Sequence, residues 1–96
     1  MNILPAQFVL QLYITGDTVS SRKAMTEVKT IVSEDLKDDV RLEIVDLLLN
    51  PEEAERYNIM VTPTLIRTHP RPEKKIIGDL SNKENLLTAL DSTPRQ

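Results

Sequence analysis

Apolar and polar positions along the chain change period several times, and each change marks an element. Phe8-Val-Leu-Gln-Leu-Tyr-Ile14 is dense in strand-forming residues and closes at Gly16-Asp17, which predicts a buried first strand ending in a turn. From Ser20 onward Ala24, Met25, Val28, Ile31, Val32 and Leu36 recur mostly three and four apart, the spacing of an amphipathic helix, with Arg22, Lys23, Glu27 and Lys29 toward water. Asp38-Asp39 breaks that pattern, and Val40-Arg-Leu-Glu-Ile-Val45 alternates apolar and charged residues before the run Leu47-Leu48-Leu49, a second strand. Strand, helix, strand in this order implies a right-handed parallel crossover with the helix over one sheet face.

The second half is less firmly determined by local signals. Asn50-Pro51-Glu52-Glu53 offers a capping side chain, a proline at the first helical position and two acids in the first turn, but the helix runs only to Tyr57-Asn58. A helix that short depends on tertiary packing. Ile59-Met-Val61, Thr64-Leu-Ile-Arg67 and Lys75-Ile-Ile77 are short strand candidates separated by Pro63 and by Pro70-Arg71-Pro72, the last two suited to pairing as a hairpin. Ser81-Asn82-Lys83-Glu84 fits a capping box, Leu86, Leu87 and Leu90 give a final helix its apolar face, and the tail after Asp91 is expected to fray.

Composition narrows the chemistry. Ninety-six residues suit a single domain spanning residues 1–96, and the absence of Cys excludes disulfides, zinc-thiolate sites and thiol redox chemistry. A net charge of -3 gives no general attraction to nucleic acid or anionic membranes. No stretch approaches the roughly 20 apolar residues of a membrane span, and the N-terminal Met1-Asn2-Ile3-Leu4-Pro5 lacks a secretory pattern, so a cytoplasmic location is expected. With only Phe8, Tyr13 and Tyr57 aromatic, the core must be aliphatic and no base-stacking platform is available.

The predicted order β-α-β-α-β-β-α is that of an α/β, thioredoxin-like domain. Val61-Thr62-Pro63-Thr64-Leu65 lies where thioredoxins carry a cis-proline before the third strand, so Pro63 is a cis-proline candidate, although an ordinary trans proline at a strand start fits the same residues. The redox pair of that fold would fall in Asp17-Thr18-Val19-Ser20-Ser21, which holds no thiol.

Four segments in order then resemble one family: Leu10-Gln-Leu-Tyr-Ile-Thr-Gly16, the stretch from Ile44-Val45-Asp46-Leu47 through Asn50-Pro51, Thr62-Pro-Thr-Leu65 and Lys75-Ile-Ile-Gly-Asp-Leu-Ser81. They look like the consecutive signature segments of KaiB, a fold-switching clock protein, and the likeness covers nearly the whole chain. The resemblance implies a non-enzymatic regulator without cofactor that binds a KaiC-type ATPase and alters its phosphorylation and output, in a circadian clock or a clock-like stress response. It implies a metamorphic chain: a resting homo-oligomer, dimer or tetramer, with the C-terminal half rearranged, and a thioredoxin-like monomer that binds the partner.

On that resemblance Gly78-Asp79 occupies the switch position, with a plain strand-to-helix turn the competing reading. Lys23, Arg67 and Lys75 match basic positions used toward KaiC, against the ordinary alternative of solvated charges. The resemblance also implies KaiA or a histidine kinase as a further partner. The second functional reading is a non-redox thioredoxin-like adaptor, similar to the N-terminal sensor domain of the kinase SasA. Departures from the family pattern are Glu43 and Leu49, where basic residues are common, and Asp17-Thr-Val-Ser20 in place of an Asn-Thr-Pro-Asn-like loop. His69, alone of its type and without Cys or clustered acids beside it, gives no expectation of a metal site. Neither a phosphate-binding glycine loop nor a nucleophile with a base partner is evident.

Overall fold

The structure is a computed structural model that describes residues 8–36, 40–77, 80 and 82–91. Its elements are β1 (Phe8–Ile14), α1 (Val19–Ile31), β2 (Val40–Asp46), α2 (Glu52–Arg56), β3 (Thr64–His69), β4 (Lys74–Ile77) and α3 (Lys83–Asp91). The four strands form one sheet in the order β2-β1-β3-β4, with β1 parallel to β2 and antiparallel to β3, and β3 antiparallel to β4. The parallel crossover and the hairpin are both as the sequence predicts.

One sheet face carries the core. Leu10, Leu12 and Ile14 from β1 and Leu65 from β3 pack with Ala24, Val28 and Ile31 of α1 and Leu86 and Leu90 of α3. On α1 the buried positions Ser21, Ala24, Val28 and Ile31 form the stripe that three- and four-residue spacing dictates. Thr18 begins this helix, its hydroxyl oxygen accepting from the Ser21 amide at 3.0 Å, and Lys29 lies in the last turn, where a cation suits the helix dipole. Beyond Ile31 the chain widens into a π-helical turn, Val32–Leu36.

Three local expectations need correction. Ile59-Met-Val61 is not a strand: it is a loop, and Met60 is 83% exposed. Pro51 stands in the capping place of α2 rather than inside it, and no side chain caps that helix. Asn50 instead donates its side-chain Nδ2 to the Asp46 carbonyl at 3.3 Å and offers only its main-chain carbonyl to the Glu53 amide at 3.0 Å. The α2 helix is closed at its other end. Asn58 adopts a left-handed φ of 56°, the Asn58 amide reaches the Glu55 carbonyl at 3.3 Å, and the Ile59 amide reaches the Ala54 carbonyl at 2.8 Å, the pairing of a Schellman motif. Asn is among the few residues that enter this region at low cost. The proposed capping box begins at Ser81, outside the described residues; Asn82 accepts from the Asn85 amide at 3.0 Å.

The opposite sheet face mixes polar residues with apolar ones such as buried Ile66 and is partly covered by the end of α2. Tyr13 is buried there, its ring centroid 5.8 Å from that of Tyr57, and its hydroxyl donates to Gln11 Oε1 at 3.0 Å. Gln11 Nε2 in turn donates to Glu43 Oε1 at 3.2 Å. Burial first, then the Tyr57 phenol and the Glu53, Glu43 and Glu73 carboxylates, push the Tyr13 phenol up to about 12. Because the folded value lies above the unfolded one, this group's stabilising contribution is intact below about pH 10 and is lost as pH rises toward about 12. In urea titrations between those limits, Tyr13→Phe should lose stability less steeply than the parent; equal slopes would show that Tyr13 does not govern the alkaline loss.

Candidate functional site

Three segments meet at the end of the sheet where β1 and β2 finish. The Gly16 amide donates to Asp46 Oδ1 at 3.0 Å, and the same oxygen accepts from the Leu48 amide at 2.9 Å, an Asx turn that also anchors the neighbouring loop. The Leu47 amide reaches the Ile14 carbonyl at 2.9 Å, and the Thr15 and Thr62 hydroxyls lie 2.7 Å apart. Thr64 Oγ1 donates to the Val61 carbonyl at 2.7 Å, which fixes the approach to β3. Gly16 has φ +64°, a left-handed turn geometry that favours glycine, and a Cβ there would also press on the exposed tip of Leu48, which can turn aside.

This well-tied backbone presents apolar side chains to water. Val19, Leu48, Leu49, Met60 and Val61 are all about half exposed or more, Leu49 at 78%. A shallow groove beside them, between Val19, Arg22, Lys23, Thr26 and Glu27, runs along α1. Arg22 is held by Asp17 at 3.0 Å, while Lys23 is exposed in the same groove. The arrangement suits docking of another surface: apolar area for desolvation, with a cation at its margin.

The expected site residues fall in different places. The Thr62–Pro63 bond is cis, as are His69–Pro70 and Arg71–Pro72. Where a redox pair would stand, Thr18 donates its hydroxyl to Ser21 Oγ at 2.9 Å, and Ser21 is buried. Lys75 is exposed on β4, across the sheet from Lys23, and its Nζ donates to the Tyr57 and Asn58 carbonyls at 3.2 Å each, so it also fastens α2 to the hairpin. Arg67 is not at the surface in this arrangement. It is 0% exposed, sharing the helix-covered face with Leu10 and Leu65, and its Nη atoms donate to the Leu90 and Pro72 carbonyls at 2.5 and 2.7 Å. Gly78 and Asp79 lie outside the described residues.

The exposed apolar rim is hard to single out in the sequence, because Leu47-Leu48-Leu49 follows a strand pattern directly and Ile59-Met-Val61 has strand-forming composition. The signal was present: alternation stops at Val45, and neither run keeps a period of two. Among the described residues no three His, Cys, Asp or Glu side chains form a group able to hold a metal, and no helix is long and apolar enough to cross a membrane.

A sheet of order β2-β1-β3-β4 with α1 and α3 packed on its core face defines a thioredoxin-like domain, and solved structures agree. The N-terminal domain of Synechococcus elongatus SasA matches with a TM-score of 0.72 at 23% identity, over 94% of this chain and 89% of that one. Oxidized mitochondrial thioredoxin 3 from Saccharomyces cerevisiae matches with a TM-score of 0.72 at 17% identity, over 91% of this chain and 80% of the other. The profile of the KaiB domain matches residues 11–92. The circadian clock protein KaiB3 of Synechocystis sp. is 49% identical over 88 residues, 92% of this chain and 86% of that protein, and the circadian clock oscillator protein KaiB of Picosynechococcus sp. is 44% identical over 91 residues, 95% and 88%. The chain belongs to the KaiB family.

Proposed function

We propose that this KaiB-family chain is a non-catalytic clock regulator that binds a KaiC-type ATPase ring and changes its phosphorylation and output. The observation that carries the reading is the rim of exposed apolar side chains, Val19, Leu48, Leu49, Met60 and Val61, on a hydrogen-bonded backbone beside Lys23. A soluble surface exposes such a patch at a cost that a partner relieves. Lys23 supplies orientation and encounter rate more than affinity. Charge reversal, Lys23→Glu, should therefore weaken binding to a KaiC-type ring by about tenfold with the melting temperature unchanged. Sedimentation or surface binding with the ring reads the first, thermal melting the second. Binding to a sensor kinase but not to the ring would favour an adaptor role, and binding to neither would end the proposal.

The same reading includes two arrangements of the second half, with a resting dimer or tetramer as the second state. Local support for the observed arrangement is thin there: α2 has five residues and no side-chain cap. Gly78→Ala, at the switch position suggested by the family resemblance, should shift the balance several-fold through a backbone effect of about 1 kcal/mol or more. Two sets of NMR signals from Asn50 to Asp91, with populations that differ between parent and variant, are expected. A single set, identical in both and unmoved by the partner, would leave one rigid fold.

A further inference from the structure

Arg67 is a buried cation with an incomplete set of partners. Its side chain is fully enclosed on the core face of the sheet, one Nη donates to the Leu90 carbonyl at 2.5 Å and the other to the Pro72 carbonyl at 2.7 Å. The Nε–H meets no acceptor, and no carboxylate pairs with the guanidinium, among the described residues. Arginine does not deprotonate in proteins, so no change of pH removes this charge from the interior. A buried charge balanced only by dipoles is poorer for stability than an apolar side chain of similar size. Only movement relieves it.

The two acceptors differ in kind. Pro72 belongs to the turn that joins β3 to β4, so that bond stays within the hairpin carrying Arg67. Leu90 lies in the last turn of α3, where main-chain carbonyls have no helical partner and attract a cation. The α3 helix has nine residues, too few to persist without the burial of Leu86 and Leu90.

We infer that α3 is a gate over the Arg67 guanidinium: when α3 lifts from the sheet, the cation gains water and reaches the surface, and its burial makes lifting easier than the apolar packing alone would allow. The docked helix hides a positive charge, and the undocked one presents it.

Hydrogen exchange and arginine modification test this on the intact chain. In the parent protein, α3 amides should exchange faster than the central amides of β1, and phenylglyoxal should label Arg67 at the α3 opening rate, after the exposed Arg22 and Arg56. Arg67→Met removes the charge but keeps the length and apolar stem, and should slow α3 exchange by about tenfold or more, toward the rate of β1. The inference fails if Arg67 is labelled only when β1 amides exchange. It also fails if Arg67→Met leaves α3 exchange unchanged or speeds it, which would make Arg67 a tie that strengthens docking.

Discussion

Replacing Leu49 and Met60 together with aspartate should weaken the complex with a KaiC-type ring by about 100-fold or more while the melting temperature holds or rises. Both side chains are largely in water, at 78% and 83%, so the folded chain loses almost no burial when they go. In a complex the same atoms would be desolvated, and a carboxylate placed there would have to be buried without a partner. Leu49 is the more informative of the two. The family resemblance implies a basic residue at its position, so the contact that Leu49 makes should be apolar here. Isothermal titration with the ring reads the affinity and calorimetry the stability. A double variant that binds as the parent does would move the interface away from this rim.

Leu12→Ala should lower stability by about 2–5 kcal/mol, a large share of the roughly 5–15 kcal/mol available to a small domain. Leu12 is 0% exposed in the central strand, between Ile44 and Leu65 in register, and α1 and α3 close the same face, leaving little room for collapse into the cavity. Leu48→Ala, by contrast, should change stability by about 0.5 kcal/mol or less, since that side chain is 66% exposed. Urea denaturation of both variants separates the two positions. Equal losses would contradict the assignment of Leu12 to the core and Leu48 to the surface.

That pair shows what could be read from residues alone. Leu12 and Leu48 are the same residue type in equally apolar runs, and only pairing decides which is inside. The parallel crossover, the hairpin and the first and last helices were legible because their periods are long or their ends are marked, as at Thr18 and Lys29. The start of α2 misled because Asn50-Pro51 satisfies a local capping rule, whereas the Asn50 side-chain Nδ2 is drawn to the Asp46 carbonyl across the preceding turn. Arg67 was expected at a partner surface from its family position. Strand alternation carried the opposite message, since Arg67 shares its face with Leu65. Lys23 and Lys75 are exposed, but the Lys75 ammonium also holds two carbonyls of its own chain.

The sheet order has a consequence for how the molecule could be taken apart. β1 and β3 are the two strands, among those described, that join the halves: β1 pairs with β2 of its own crossover and with β3, and β3 pairs with β1 and with β4 of its own hairpin. A cut in the exposed loop at Met60 would leave the first fragment with its β1–β2 ladder and α1, and the second with its β3–β4 ladder and α3. Neither piece would lose an internal strand pairing. The only strand pairing that joins them, among the described residues, is one antiparallel ladder, backed by apolar side chains and by cross-bonds such as Lys75 to the Tyr57 and Asn58 carbonyls, so the chain is built as two complementary pieces whose reassociation in a split-protein assay would measure that seam.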